Sequence, residues 1–165
     1  MRENYATYLK KLKQYNFLKM KNRDFSTTIS VDNTPTEVFA AINNVRGWWQ
    51  GEIKGNTDKL NDEFTYEMQP YHLSKQKIIE LIPGKKVAWL VTESRINFVA
   101  DKNEWLDTKI SFDISTLENG TKLTFTHQGL VPAIECYGGC SGAWEQLVQK
   151  SLFNLITTGK GVDVF

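Results

Sequence analysis

The sequence has two histidines and two cysteines, side chains that serve as metal ligands and, for the thiolate and imidazole, as nucleophiles: His72, His127, Cys136 and Cys140. The cysteines stand four apart in ECYGGCSG, a spacing open to a disulfide, to half of a metal site or to two reduced thiols. A tetrahedral zinc site takes four ligands, which here would need both histidines brought in from distant segments, so no metal and no cofactor is expected. A structural bridge is not expected in a chain read as cytoplasmic, which leaves reduced thiols near the start of a helix. His127 follows Leu123 and Phe125 at strand parity, so it points to the same side as two large apolar residues. A buried imidazole needs a partner for its N–H. It could anchor a ligand or accept a proton, or rest as a structural histidine on a backbone carbonyl or on Tyr137. No nucleophile or orienting carboxylate accompanies it at a recognisable spacing, so no catalytic residue is assigned. Arg95 and Glu67 are further polar candidates, with Glu67 expected in solvent because it alternates with Tyr66.

A second feature is apolar. In NNVRGWWQGE, Trp48 and Trp49 sit side by side between Gly47 and Gly51. Such large rings in a connecting segment are either core or part of a binding surface. On a helical turn, adjacent residues point about 100° apart, so one indole is expected to pack inward and the other to stay partly exposed.

The elements that position these residues follow from pattern. A length of 165 residues with 41% hydrophobic and 24% charged content suits one domain. A net charge of +1 gives no general attraction for nucleic acid. No run approaches the roughly 20 apolar residues of a membrane span, and no apolar stretch follows the first lysines as a secretory signal would, so membrane insertion is not expected and the cytoplasm is. Residues 1–24 carry seven Lys or Arg against two acidic residues, with Tyr5, Tyr8, Leu9, Leu12 and Tyr15 at helical spacing. They read as a basic helical extension, either a membrane-surface or partner-binding arm or a mobile or surface-docked appendage outside the domain of residues 25–165.

From Phe25 the order becomes strict. FSTTISV alternates as a half-buried strand, and NTPTEVFAAINN has the capping box Thr34/Glu37 with Pro35 at the first helical position. A second short helical turn carries the Trp pair. EFTYEMQP, SKQKIIELIPGKKVAWLV and WLDTKISFDISTLENGTKLTFTHQGL read as antiparallel strands. Pro83-Gly84 is expected to form a type II turn and Asn119-Gly120 a type I′ hairpin turn. Alternation gives one aromatic face containing Phe64, Tyr66, Trp89, Phe112, Phe125 and His127. In SGAWEQLVQKSLFNLITTGKG, Trp144, Leu147, Val148, Leu152, Leu155 and Ile156 keep helical spacing. A helix from Ser141 to Thr158, on the order of 27 Å long, would cover about six or seven strands and stop at Gly159. Strand, two short helices, further strands and a long C-terminal helix make an α+β domain with the helix across one sheet face.

That order, with TPTEVFAAI, GWW, ELIPGKKVAWLV, TKLTFTH and GAWEQLVQKSLFNLITTGKG, resembles the helix-grip superfamily. This group includes START lipid-binding domains, the birch-pollen allergen type and polyketide cyclases. Within it, the sequence is most similar to the activator of heat-shock protein 90 ATPase homologue-like family. The resemblance covers residues 25–161 and implies a curved sheet gripping the long helix, often with a cavity between them. It would put Trp48 or Trp49 at the mouth. The reading that follows is a non-enzymatic domain, monomer or homodimer, holding a small hydrophobic or aromatic molecule against Trp49, Tyr66, Trp89, Phe112, Trp144 and Val148, with His127 as polar contact. Two alternatives stay open: a co-chaperone-like domain that contacts a large ATPase, and a cyclase or hydrolase working through substrate positioning.

Overall fold

Period-two alternation becomes strand wherever the sequence carries it. The computed structural model describes residues 5–165, so the first four residues of the basic 1–24 segment lie outside the described residues. The strands are β1 (Phe25–Val31), β2 (Glu52–Gly55), β3 (Glu63–Met68), β4 (His72–Ile82), β5 (Lys86–Ile96), β6 (Lys109–Leu117) and β7 (Gly120–Gln128). They form one antiparallel sheet in the order β1-β7-β6-β5-β4-β3-β2. β1 takes one edge. The chain then crosses to the far edge through α2 (Pro35–Asn43) and a 3-10 turn (Val45–Gly47) and returns strand by strand until β7 pairs with β1. Register brings large apolar residues opposite one another, as at Trp89–Ile110, Phe112–Phe125 and Ile29–Leu123, so one face of the sheet becomes the core. The other face is charged, with pairs such as Lys109–Glu80 at 2.9 Å and Lys75–Glu63 at 3.2 Å, which solvent screens to small stabilising effect.

Local chemistry explains the helices. At α2 the Glu37 amide donates to Thr34 Oγ1 (3.2 Å) and the Thr34 amide donates to Glu37 Oε2 (2.7 Å), with Pro35 entering the first turn, as the capping box requires. The long helix runs from Tyr137 to Thr158 as α3 (Tyr137–Gln146), a π turn (Leu147–Leu152) and α4 (Phe153–Thr158). Gly159, at φ 83°, closes it by donating to the Leu155 carbonyl at 3.0 Å. The helix therefore starts four residues before the expected Ser141 and is not uniformly α. In the π turn each residue advances less than the usual ~100°, so the apolar stripe is re-phased: Ile156 turns into the core while Leu155 moves to its flank. Ahead of the sheet, α1 (Tyr5–Lys21) buries none of its residues.

Two turn assignments divide. Between β4 and β5, Lys85 N–H donates to the Ile82 carbonyl (2.9 Å) and Gly84 has φ 69°, as a type II turn needs. Between β6 and β7 the type I′ expectation is corrected. Leu117 pairs with Gly120, so Glu118 and Asn119 are the connecting residues, and neither has a positive φ. Gly120 instead opens β7 at φ 135°, where a Cβ would run into the Val31 carbonyl at the end of β1. Trp105, read as the start of a strand, lies in the turns between β5 and β6, where Asp107 takes φ 62°.

Candidate functional site

The first turns of α3 are poor in side chain: Gly138, Gly139, Ser141, Gly142 and Ala143 leave Trp144 as the first large residue reaching the sheet. A helix that does not fill the space beneath it leaves a recess. Here the recess is about 280 Å³, bounded by Gly139, Cys140, Ala143, Trp144 and Leu147 of the helix, by Tyr66 and Met68 of β3, by His72 of β4, and by Trp49 and Trp105. Tyr71, Phe98 and Phe165, each more than half exposed, form its solvent side. The lining contains no Lys, Arg, Asp or Glu side chain.

The Trp pair is placed by its backbone. Trp49 N–H donates to the Val45 carbonyl at 2.9 Å, and Trp48 Nε1 donates to the Ile42 carbonyl at 3.2 Å. Trp48 has φ −140°, which breaks the helical turn, so the two rings do not diverge by ~100° but stack at 6.2 Å with 15° between planes. Both are buried, at 2% and 3% exposure, which corrects the expectation of one partly exposed indole. Gly51 makes this arrangement accessible: its φ is 140°, and a Cβ there would collide with the Tyr66 ring. Tyr66 in turn stacks on Trp49 at 4.2 Å, and burial pushes its phenol up to about 12.

Of the residues singled out from sequence, Trp49, Tyr66 and Trp144 are brought together around the recess. Trp89, Phe112 and Val148 lie behind it in the core, fully buried. Trp89 runs parallel to Trp49 at 6.1 Å, and Phe112 sits edge-on to Trp89 at 4.9 Å. His127 is also fully buried and completely used. Trp144 Nε1 donates to its Nδ1 at 3.0 Å, and since an indole N–H can only donate, the ring proton resides on Nε2. Nε2 then donates to Thr108 Oγ1 (2.8 Å), whose hydroxyl donates to the Trp105 carbonyl (2.6 Å). The partner is thus Trp144 and Thr108 rather than Tyr137 or a backbone carbonyl. Burial, with His72 nearby, depresses His127 to about 3, so it is neutral.

Arg95 and Glu67 belong elsewhere. By register they share the sheet face of Leu73, around a separate polar hollow of about 190 Å³ with Gln69 and Asn97. Glu67 retains only 18% exposure and pairs with Lys54 at 3.5 Å, so it is less open to solvent than expected. The thiols of Cys136 and Cys140 are free and buried. Contact with the Cys140 thiol, then burial, pushes the Cys136 thiol well above its usual range, which makes it a poor nucleophile. Among the described residues, no three His, Cys, Asp or Glu side chains are grouped as a metal would need.

Sequence reading passed over a polar strip on the covered face of β4: His72, Ser74 and Gln76 in phase with Ile78. Ser74 and Gln76 are fully buried and bonded to each other, Gln76 Nε2 donating to Ser74 Oγ at 2.6 Å. His72 packs edge-on to both Trp105 (4.4 Å) and Tyr66 (5.2 Å), and burial depresses it to about 4. The signal was present as polar residues at core parity. The small-residue run YGGCSGA equally marked the space above them.

No protein-family model matches the chain, and no curated protein matches it. Solved structures do. The Aha1 dimer from Colwellia psychrerythraea is 23% identical, with a TM-score of 0.69 over 84% of this chain and 99% of that one. Protein MLL2253 from Mesorhizobium loti is 14% identical, with a TM-score of 0.66 over 85% and 100%. CalU16 from Micromonospora echinospora is 15% identical, with a TM-score of 0.56 over 81% and 76%. At these identities the likeness is one of fold, and the fold is the helix grip.

Proposed function

We propose that the recess binds a small, uncharged apolar or aromatic molecule, and that residues 25–165 work as a non-enzymatic helix-grip binding domain with residues 1–24 as an extension outside it. The observation behind this reading is an aromatic recess whose lining includes no charged side chain. Its volume of about 280 Å³ is near the lower end of ligand sites and roughly twice that of a ~150 Å³ apolar cavity that takes benzene, which suits one or two rings. Trp49, Tyr66 and Trp144 supply ring faces, while Trp89, Phe112, Val148 and His127 hold those faces in place from behind. A catalytic reading gains little here, because both nitrogens of His127 are engaged and the Cys136 thiol is held protonated. A homodimer is compatible with the Aha1 dimer, a likeness that extends to the fold alone, and membership of the heat-shock protein 90 ATPase activator type with a chaperone partner is the alternative reading.

The test is calorimetry and melting temperature against naphthalene- and indole-sized compounds, with Ala143→Trp as a variant that fills the recess. A saturable rise in melting temperature with the native chain, absent from a cooperatively folded Ala143→Trp, is expected. No shift with any compound, or an undiminished shift in Ala143→Trp, would overturn the proposal.

A further inference from the structure

Two rings in the lining of the recess, His72 and Trp105, each hold a buried nitrogen left unpaired: His72 Nε2 and Trp105 Nε1 have no hydrogen-bond partner among the described residues. They come from distant segments. His72 opens β4 as the first member of the polar row His72, Ser74 and Gln76, and Trp105 lies in the turns between β5 and β6. Folding sets the two rings edge-on at 4.4 Å, with Tyr66 at 5.2 Å from His72. A buried polar atom without a partner forfeits the hydrogen bonds it made to water, and native proteins keep few of them. The aromatic faces around these nitrogens accept hydrogen bonds only weakly. His127, packed on the same indole at 4.6 Å, has instead given both its nitrogens to Trp144 and Thr108. Trp89 Nε1 also lacks a partner, but that ring is fully buried and is not part of the lining.

The chemistry of the two nitrogens says what would satisfy them. An indole N–H only donates, so the atom placed beside Trp105 Nε1 must accept. Burial keeps His72 neutral, and a neutral imidazole accepts at one of its nitrogens, so the atom placed beside Nε2 can donate. A hydroxyl does both through a single oxygen. A carboxylate or phenolate would enter without a counter-ion, since the lining includes no Lys or Arg. Resting on the reading of the recess as a binding site, we propose that its ligand is an aromatic molecule with a neutral hydroxyl group, which accepts from Trp105 Nε1 and donates to His72 Nε2. Because both nitrogens are covered, binding includes a turn of the imidazole about χ2, a soft torsion that no bond at Nε2 restrains. The ring faces of Trp49, Tyr66 and Trp144 then hold the aromatic body, and the hydroxyl sets which end of it enters first.

The test is calorimetry of the full chain at neutral pH with naphthalene and 2-naphthol, which differ by the hydroxyl alone. In a recess without waiting hydrogen bonds naphthalene binds the tighter, because a hydroxyl loses its water on entry. With His72 and Trp105 as partners, 2-naphthol should bind at least about tenfold tighter than naphthalene. In His72→Leu and in Trp105→Phe that advantage should fall to about threefold or less, with naphthalene affinity kept. His72→Leu should also leave the melting temperature of the ligand-free chain undiminished, since an unpaired imidazole gives way to an apolar side chain of similar size; a His72 that only braces the fold would lower it. Equal binding of the two compounds, or tighter binding of naphthalene, overturns this inference and leaves the recess as an apolar site. Binding of neither compound overturns both readings. An advantage of 2-naphthol that survives either variant places the hydroxyl elsewhere, and naphthalene affinity lost in both variants reduces the two rings to shaping the recess; each of these also overturns the inference.

Discussion

From Leu147 onward, the long helix contributes Leu147, Val148, Leu152 and Ile156 to the core, while its first turns contribute only Cys140 and Trp144. The surface beneath is aromatic along both stretches: Trp89, Phe112 and Phe125 of the sheet are fully buried, while Tyr66 of the sheet and Trp49 and Trp105 of the connecting segments border open space. The same residue types make a solid wall in one place and a recess in the other. What differs is the covering element, with branched side chains on one half and glycines, serine and alanine on the other. A cavity in this fold is therefore set by the small residues above the aromatics, not by the aromatics themselves.

The largest expected effect lies on the solid side. Trp89→Ala should cost about 3–5 kcal/mol in urea unfolding, because nothing around a fully buried ring can collapse into its place. Trp49→Ala, bordering the recess, should cost distinctly less, and equal costs would erase the contrast between the two regions. Trp144 joins them. Trp144→Phe keeps most of the ring but leaves His127 Nδ1 without its donor, so a loss of about 1–3 kcal/mol is expected.

The histidines give a pH test. His72 and His127 are depressed to about 4 and about 3 from the ordinary 6.5, so the unfolded chain binds protons before the folded one does. Their contribution to stability is complete above about pH 6.5 and is lost as pH falls towards 4 and then 3. Urea midpoints measured between neutral pH and pH 4 should fall steadily, and a flat profile over that range would show that neither ring is buried neutral. The smallest effect belongs to the rim. Phe98→Ser, at a half-exposed position, should shift stability by no more than about 0.5 kcal/mol while weakening binding of any aromatic ligand in calorimetry.

Much of this was legible locally. The Thr34/Glu37 capping box, Pro35, the Pro83-Gly84 turn, the alternation that puts Trp89 and Phe112 on one face and the stop at Gly159 are rules acting over a few residues, and each is met by its own neighbours. Asn119-Gly120 misled because Gly120 answers to the end of β1, almost ninety residues away. Trp48 misled because a non-helical φ rotates its ring onto that of Trp49. The recess was marked only indirectly, by YGGCSGA and by the polar phase of His72, Ser74 and Gln76.

By itself, then, the sequence determined the elements, their order, the faces they bury and the concentration of charge in α1, since these depend on period and on near neighbours. Only the tertiary structure decided that His127 gives both nitrogens to Trp144 and Thr108, that both indoles of the pair are buried, and that the space beneath α3 stays open. Those outcomes depend on which side chains meet across the sheet and helix, and no spacing along the chain encodes the distance between residues that folding alone brings together.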